Sequence, residues 1–341
     1  MLVSRMNTPM LVGDVCYVAD DYYDLFLPDR LWLARPRRES HTDMRWLTYF
    51  FSSEIGSREL RSLATGTSGS MKNIPKDRVL KLEVDVPSVQ EQHAIADVLS
   101  DTDNLIAALE RLIAKKEAIK QGMMQQLLTG RARLPGFTGE WRTTRLSELG
   151  VFLKGRGVKR DDVRPTGVPC IRYGELYTDF KDYTATVRSF VNTEVADTAL
   201  PIISGDLLFA GSGETRDEIG KCVAYIGQPA AVAGGDIVVL RGNSFNPIYL
   251  ATLTNMPSVA NQKACAGQGD AVVHISSHAL GSLTVKLPPR AEQNAIVEVV
   301  QDCDQEIEAL RTGLSKARAL KAGMMQELLT GRTRLLAKVT S

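Results

Sequence analysis

The stretch from Gly122 to Leu134, GMMQQLLTGRARL, returns 201 positions later, from Gly323 to Leu335, as GMMQELLTGRTRL. The same offset pairs Pro87 with Pro288, Glu91-Gln92 with Glu292-Gln293 and Ala94-Ile95 with Ala295-Ile296. A repeat this widely spaced is a whole domain with an attached segment, not one turn of a solenoid. The chain must therefore fold as two related halves.

Each shared motif belongs to a long amphipathic pattern. From Val89 to Leu128 apolar side chains at Ile95, Val98, Leu105, Leu109, Leu112, Ile119 and Met123 approximate a coiled-coil seam, with Thr102 and Lys116 as polar exceptions. A second pattern over 290–329 carries Ile296, Val299, Cys303, Ile307, Leu310, Leu320, Met324 and Leu328 on one face. A 40-residue helix is about 60 Å long, a length suited to a spacer. Gly130 and Pro135-Gly136 end the first one.

The rest reads as α+β. Strand candidates are Val15 to Val18, Arg30 to Ala34, Cys170 to Tyr173, Asp206 to Ala210, Lys221 to Ile226 and Asp236 to Leu240; helical candidates are Met44 to Phe51, Ile55 to Ala64 and a helix opening near Pro247. The second globular region is expected to hold a curved, mostly antiparallel sheet. Two glycine-polar loops recur at the 201 offset, Thr65 to Ile74 and Ala266 to Ala271, and a basic, glycine-punctuated segment runs from Lys154 to Arg160. Such a segment lets cations and backbone amides approach phosphates together; alternatively it is an ordinary hairpin loop.

With 41 basic against 40 acidic residues there is no global field for a polyanion, so any nucleic-acid surface must be local. The five cysteines are scattered without metal-site or disulfide-framework spacing, and no apolar run approaches a membrane span. These features fit a cytoplasmic protein.

Upstream of the recurring loops the offset is 207: Leu11-Val12-Gly13 resembles Glu218-Ile219-Gly220, and Asp29 to Leu33 resembles Asp236 to Leu240. Projected back by 207, Trp141 falls about 66 residues before Met1, so the first copy is expected to lack its opening part.

Two variable regions, each followed by a helix with Pro-x-x-x-Glu-Gln-x-Ala-Ile near its start and Leu-Leu-Thr-Gly-x-x-Arg-Leu near its end, resemble the specificity subunit of type I restriction-modification systems. The motif residues are Pro87, Glu91, Gln92, Ala94, Ile95 and Leu127 to Leu134, then Pro288, Glu292, Gln293, Ala295, Ile296 and Leu328 to Leu335. The resemblance implies an incomplete first target-recognition domain (1–86), a first spacer helix (87–134), a second recognition domain (135–287), a second spacer helix (288–335) and a tail (336–341), with the helices paired antiparallel. It further implies a non-catalytic reader of double-stranded DNA that recognises a bipartite site, docks two methyltransferase subunits and restriction-translocase subunits, and needs no cofactor of its own.

The expected DNA contacts are Arg5, Asn7, Thr67, Ser68, Ser70, Lys72 and Asn73 in the first half, and Lys154, Arg156, Lys159, Arg172, Tyr173, Gln268 and Asp270 in the second. The cations suit phosphates and Gln268 suits a base edge. The truncation reading makes the first half an impaired, fast-exchanging reader that leaves the chain a half-site reader. Two other readings compete. A purely structural coiled-coil scaffold leaves the loops without a role. A methyltransferase reading rests on Phe209 to Gly213 as a cofactor loop and Asn246-Pro247-Ile248-Tyr249 as a catalytic motif, yet the first leads into a polar segment and the second lacks a proline.

Overall fold

A computed structural model describes residues 1–37, 39–66, 70–228, 230–269 and 272–335. The chain forms two compact units, Met1–Lys116 with Ile307–Ser341 and Glu117–Glu306, so each unit contains part of both long helices.

The first unit opens with β1 (Leu2–Ser4), β2 (Met6–Asn7), β3 (Val15–Cys16) and β4 (Leu31–Leu33), followed by α1 (Met44–Ser52), α2 (Glu54–Ser62), β5 (Lys72–Asn73) and α3 (Lys76–Val79). The strands β3, β1 and β4 form an antiparallel sheet with Leu2 opposite both Cys16 and Leu33. Asp43 starts α1 by accepting from the Arg45 and Trp46 amides, which satisfies donors that the first turn otherwise leaves unbonded. Met1, Val3, Phe51 and Leu60 close the core against the sheet. The first long helix, α4 (Val89–Thr129), begins in this unit.

The second unit contains β6 (Arg142–Arg145), β7 (Val151–Lys154), β8 (Val168–Ile171), α5 (Tyr173–Thr178), β9 (Tyr183–Thr184), β10 (Ser189–Val191), α6 (Thr193–Thr198) and β11 (Leu200–Ile202). It continues with β12 (Leu207–Ala210), β13 (Ser212–Gly213), β14 (Cys222–Tyr225), β15 (Ala231–Ala233) and β16 (Ile237–Arg241). After α7 (Pro247–Asn255) and α8 (Pro257–Ala266) come β17 (Val273–His274), α9 (Ser277–Ser282), β18 (Thr284–Leu287) and the second long helix α10 (Arg290–Leu328). The expected single sheet is two: a five-stranded one, β7-β16-β12-β14-β9, and a four-stranded one, β10-β8-β15-β11, each with one parallel pair. The division follows from β12, β14 and β16, which are buried on both faces and so need a covering layer on each.

The two long helices run antiparallel in both units. In the first, Lys321 meets Asp103 at 2.6 Å and Arg318 meets Glu110 at 2.6 Å; in the second, Lys120 meets Asp304 at 2.5 Å. The seam differs from the expected one. Val98, Leu105, Leu112 and Ile119 are exposed, as is Leu320, whereas Ile95, Leu99, Thr102 and Ile113 are buried. A strict alternation of 4 and 3 from Ile95 selects Leu99, Thr102 and Ile113, and Val98, Leu105 and Leu112 lie on the neighbouring row.

The structure also corrects the offset at β4. Leu31 occupies the place of Ile237, since Ser4 faces Leu31 as Ala210 faces Ile237. The shift there is 206, whereas Val15 facing Val3 and Cys222 facing Phe209 keep 207 at β3. The first unit thus has one residue more between β3 and β4 than the second has between β14 and β16, in a loop where register is not fixed by a ladder.

Candidate nucleic-acid interface

Each unit carries the same small device at the end of its central strand. In the first, β2 pairs with β5, Met6 opposite Asn73 and Asn7 opposite Lys72, and the Ile74 amide donates to Arg5 O at 2.8 Å. In the second, β13 pairs with β17, Ser212 opposite His274 and Gly213 opposite Val273, and the Ile275 amide donates to Gly211 O at 2.9 Å. The glycine-polar loop is the return leg of this ribbon, closed by a bridge between Thr65 and Asn73 or between Gln268 and His274. Glycine is required at the bends. Gly269 sits at φ +107°, and a Cβ there would lie 2.2 Å from Val272 O.

In the first unit the ribbon brings Arg5, Asn7, Lys72 and Asn73 together. Lys72 Nζ donates across the loop to Gly66 O at 2.7 Å, and Asn7 Nδ2 donates to Ser4 Oγ at 3.2 Å. The Arg5 guanidinium lies 5.9 Å from the centre of the Trp32 ring. Arg5 Nε and Asn73 Oδ1 are buried without a hydrogen-bond partner among the described residues. Ser70 is exposed, and Thr67 and Ser68 lie outside the described residues.

In the second unit three backbone bonds gather the basic segment and the ribbon at one end of the five-stranded sheet. Gly155 donates to Ile237 O at 2.8 Å, Gly211 to Asp236 O at 2.6 Å and Ile275 to Gly211 O. Lys154, Arg156 and Lys159 are exposed there, and so is Gln268. The segment is not a hairpin loop: it leads from β7 in one sheet to β8 in the other. Two non-glycine residues with positive φ are Val158 within it and Asp236 beside it, and such strain persists only where surrounding structure fixes it. Arg172 is already matched, because its guanidinium meets the buried Glu175 carboxylate at 3.1 Å. Glu175 also accepts from Ser189 Oγ. Tyr173 is exposed at the start of α5, and Tyr177 in the next turn donates to Ser212 O at 3.0 Å, so α5 lies against the ribbon. Asp270 lies outside the described residues.

Sequence reasoning missed three supports of this second ribbon. Ser212 Oγ is 2.9 Å from His274 Nδ1, and Arg216 reaches Gly267 O at 3.4 Å and Gly269 O at 3.3 Å from the turn after β13. Lys263, 2% exposed on α8, donates to Gly220 O at 2.7 Å at the other end of that turn; burial lowers its pKa to about 8. The 201 offset does pair His274 with Asn73; Arg216 and Lys263 have no such signal.

Both ribbons stand on the same clamps. Gln92 accepts from the Asp43 amide at 2.8 Å and donates to Pro87 O at 2.9 Å; Gln293 accepts from the Asn246 amide at 2.8 Å and donates to Pro288 O at 2.9 Å. Arg334 makes a two-pronged pair with Glu91, and Arg133 makes one with Glu292. Each pair joins the start of one long helix to the segment just beyond the end of the other, and the carboxylate raises its arginine's pKa. The repeated motifs are thus the joints between recognition region and spacer.

The methyltransferase fragments have structural explanations. Asn246 caps α7 by accepting from the Tyr249 amide, with Pro247 in the first turn. Phe209 to Gly213 is the end of β12 and the ribbon strand, followed by a turn and not a helix. Among the described residues no group of three or more His, Cys, Asp or Glu could hold a metal, and no helix is long and apolar enough to cross a membrane.

The family model for the type I restriction modification DNA specificity domain matches residues 4–121 and 138–316. The chain belongs to that family. The type I restriction enzyme MjaVIII specificity subunit of Methanocaldococcus jannaschii is 23% identical over 312 residues, covering 85% of this chain and 70% of the relative. Among solved structures, the type I restriction-modification S subunit from M. genitalium aligns with TM-score 0.54 at 18% identity, over 84% of this chain and 73% of that one. A chain from a structure describing complex assembly and conformational transition of a type I system aligns with TM-score 0.56 at 16% identity, over 96% and 81%. Both solved structures bear on the fold alone; the family match makes this a DNA-specificity chain.

Proposed function

We propose that this chain reads a bipartite double-stranded DNA site with its two ribbons, and presents two methyltransferase subunits, with restriction-translocase subunits beside them, to the DNA between. The observation that carries this reading is the recurrence of one ribbon-and-loop device on one pair of helix joints in both units. Two copies of a reader on a stiff spacer recognise two short sequences separated by a gap of fixed length. Lys154, Arg156 and Lys159 hold phosphates, Gln268 reads a base edge, and in the first unit Arg5 Nε is a buried donor that a phosphate or base acceptor would satisfy and Asn73 Oδ1 a buried acceptor that a base amino group would satisfy. Arg172 serves mainly to hold Glu175. The chain contributes recognition, and the methyl transfer belongs to its partners.

The test is DNA binding by the chain assembled with its methyltransferase partner, together with a map of the bases methylated. Lys154→Ala with Arg156→Ala should weaken binding about tenfold and flatten the slope of log K against log salt by roughly 1.8, for two lost phosphate contacts. Unchanged binding and slope would remove the basic segment from the interface. A methylated site with base information in one block only would reject the bipartite reading.

A further inference from the structure

The first unit has an open sheet edge whose cover can be read from the second. Met1 and Ala34 exchange both backbone hydrogen bonds, at 2.8 and 3.1 Å, and the Arg5 amide donates to Arg30 O at 3.0 Å. In an antiparallel ladder such pairs alternate. The N–H of Leu33 and the carbonyls of Leu31 and Leu33 therefore face away from β1, and β4 has no strand on that side among the described residues. In the second unit the equivalent edge of β16 is filled by β7: Leu153 lies opposite Val239, which is the place of Leu33, and Gly155 donates to Ile237 O, the place of Leu31. The other edge, β3, likewise has no further strand among the described residues, where β14 carries β9.

Two further observations concern the same surface. Residues 19–30 are all exposed, including Tyr23 at 88%, Leu25 at 71% and Phe26 at 93%. Their counterparts run into β15, which is buried between β8 and β11. Arg35, in the place of Arg241, is exposed. Arg241 meets the buried carboxylate of Asp206 at 2.6 Å, immediately before Leu207, whose place Met1 takes. Strand edge, apolar segment and arginine each correspond to a surface that residues 141–206 cover in the second unit.

We propose that the β4 edge and the 19–30 segment form a docking surface for a polypeptide segment of the same kind as residues 141–206, which adds a strand to β4 in the register of β7 on β16. Main-chain bonds to Leu31 and Leu33 give the alignment, the Tyr23 to Phe26 segment packs beneath the added strand's domain, and a carboxylate near that polypeptide's end meets Arg35. This does not depend on DNA reading by either ribbon.

The experiment co-expresses the full chain with a tagged polypeptide of residues 141–206. The expected result is a one-to-one complex in which amide exchange at 31–33 slows at least about tenfold. Leu33→Pro should abolish the complex, because it removes the outward donor while sparing the bonds to β1, and an edge strand tolerates proline there. To cover a polypeptide that does not fold when separate, the same segment is also joined ahead of Met1 through its own Asp206; protection at 31–33 that Leu33→Pro removes supports the proposal. Absence of protection in both formats overturns it. So does protection of 31–33 in the full chain alone that rises with its concentration, which would assign the edge to a second copy.

Discussion

The two units share a plan and differ in cover. Both place a ribbon at the end of a central strand, cap the following helix with a residue whose amide is held by a glutamine, and fasten the helix starts through an arginine-glutamate pair. In the second unit β12 and its neighbours lie in a five-stranded sheet with a second sheet beside it; in the first, the equivalent three strands have two edges with no further strand among the described residues. The difference teaches that the ribbon and its joints need only the short central strand, two helices and the spacer. The flanking sheets add the basic segment and protection of the edges.

The largest test of that equivalence exchanges one buried pair. Leu60 in the first unit and Lys263 in the second each pack against the glycine of the turn after the ribbon, Gly13 or Gly220. Leu60→Lys should cost roughly 3–5 kcal/mol at neutral pH, because it buries an ammonium where a leucine is 1% exposed. Denaturant unfolding of the full chain measures it, and a cost under about 1 kcal/mol would mean the Gly13 carbonyl already offers the seat that Gly220 gives Lys263.

The glutamine clamps should matter equally in both units. Gln92→Ala and Gln293→Ala each strand an amide and a carbonyl and should cost about 2 kcal/mol. Unfolding free energies that differ by more than about 1 kcal/mol between the two would show that the open first unit relies on its joint more, or less, than the covered one.

A smaller effect is expected from Lys263→Leu, a gain of roughly 1–2 kcal/mol at pH 7 after allowing for the Gly220 carbonyl left unpaired. Burial lowers the lysine pKa from 10.5 to about 8, so the unfolded chain binds more protons above that pH. Wild-type stability should therefore rise between about pH 8 and 9, and the variant should lose that rise. Above this range Cys222 opposes it, since burial lifts its thiol pKa from 9.0 to about 12. An identical pH profile for wild type and variant would place the ammonium in contact with solvent.

The smallest perturbation is chemical labelling. Cys16 is exposed at β3, whereas Cys222 is buried at the adjoining position of β14. A thiol reagent should modify Cys16 in the native chain and spare Cys222, and protection of Cys16 on adding residues 141–206 would show that the cover extends to the β3 edge.

Much of this was legible in the sequence, because the duplication repeats the residues that make the joints. Pro87, Glu91, Gln92 and Arg133 recur as Pro288, Glu292, Gln293 and Arg334, and each proves to be a clamp residue. Strands rich in β-branched and apolar residues at 207–210, 222–225 and 237–241, and helices with periodic faces at 44–52 and 54–62, were also readable, since local pattern and burial agree there. The α+β class and the antiparallel helices followed from those elements and from the family resemblance.

Other features exist only through tertiary contact. The helix seam keeps Ile95 and Thr102 of the expected row but takes Leu99 and Ile113 where Val98 and Leu112 were expected, because the partner helix chooses the face and two apolar rows run side by side in the pattern. The one-residue slip at β4 is invisible to an alignment of β-formers, since any alternating stretch matches its neighbour shifted by one; only the ladder to Ser4 fixes it. Arg172, expected among the DNA contacts, has the Glu175 carboxylate 3.1 Å away, and Arg216 and Lys263 carry no sequence signal because their carbonyl partners come from across the fold. Sequence determined which elements form and that they come in two copies, because periodicity and repetition are local properties of the chain. Which face is buried, which charge is matched and which edge is left open were decided by the fold, because those depend on partners distant in the chain.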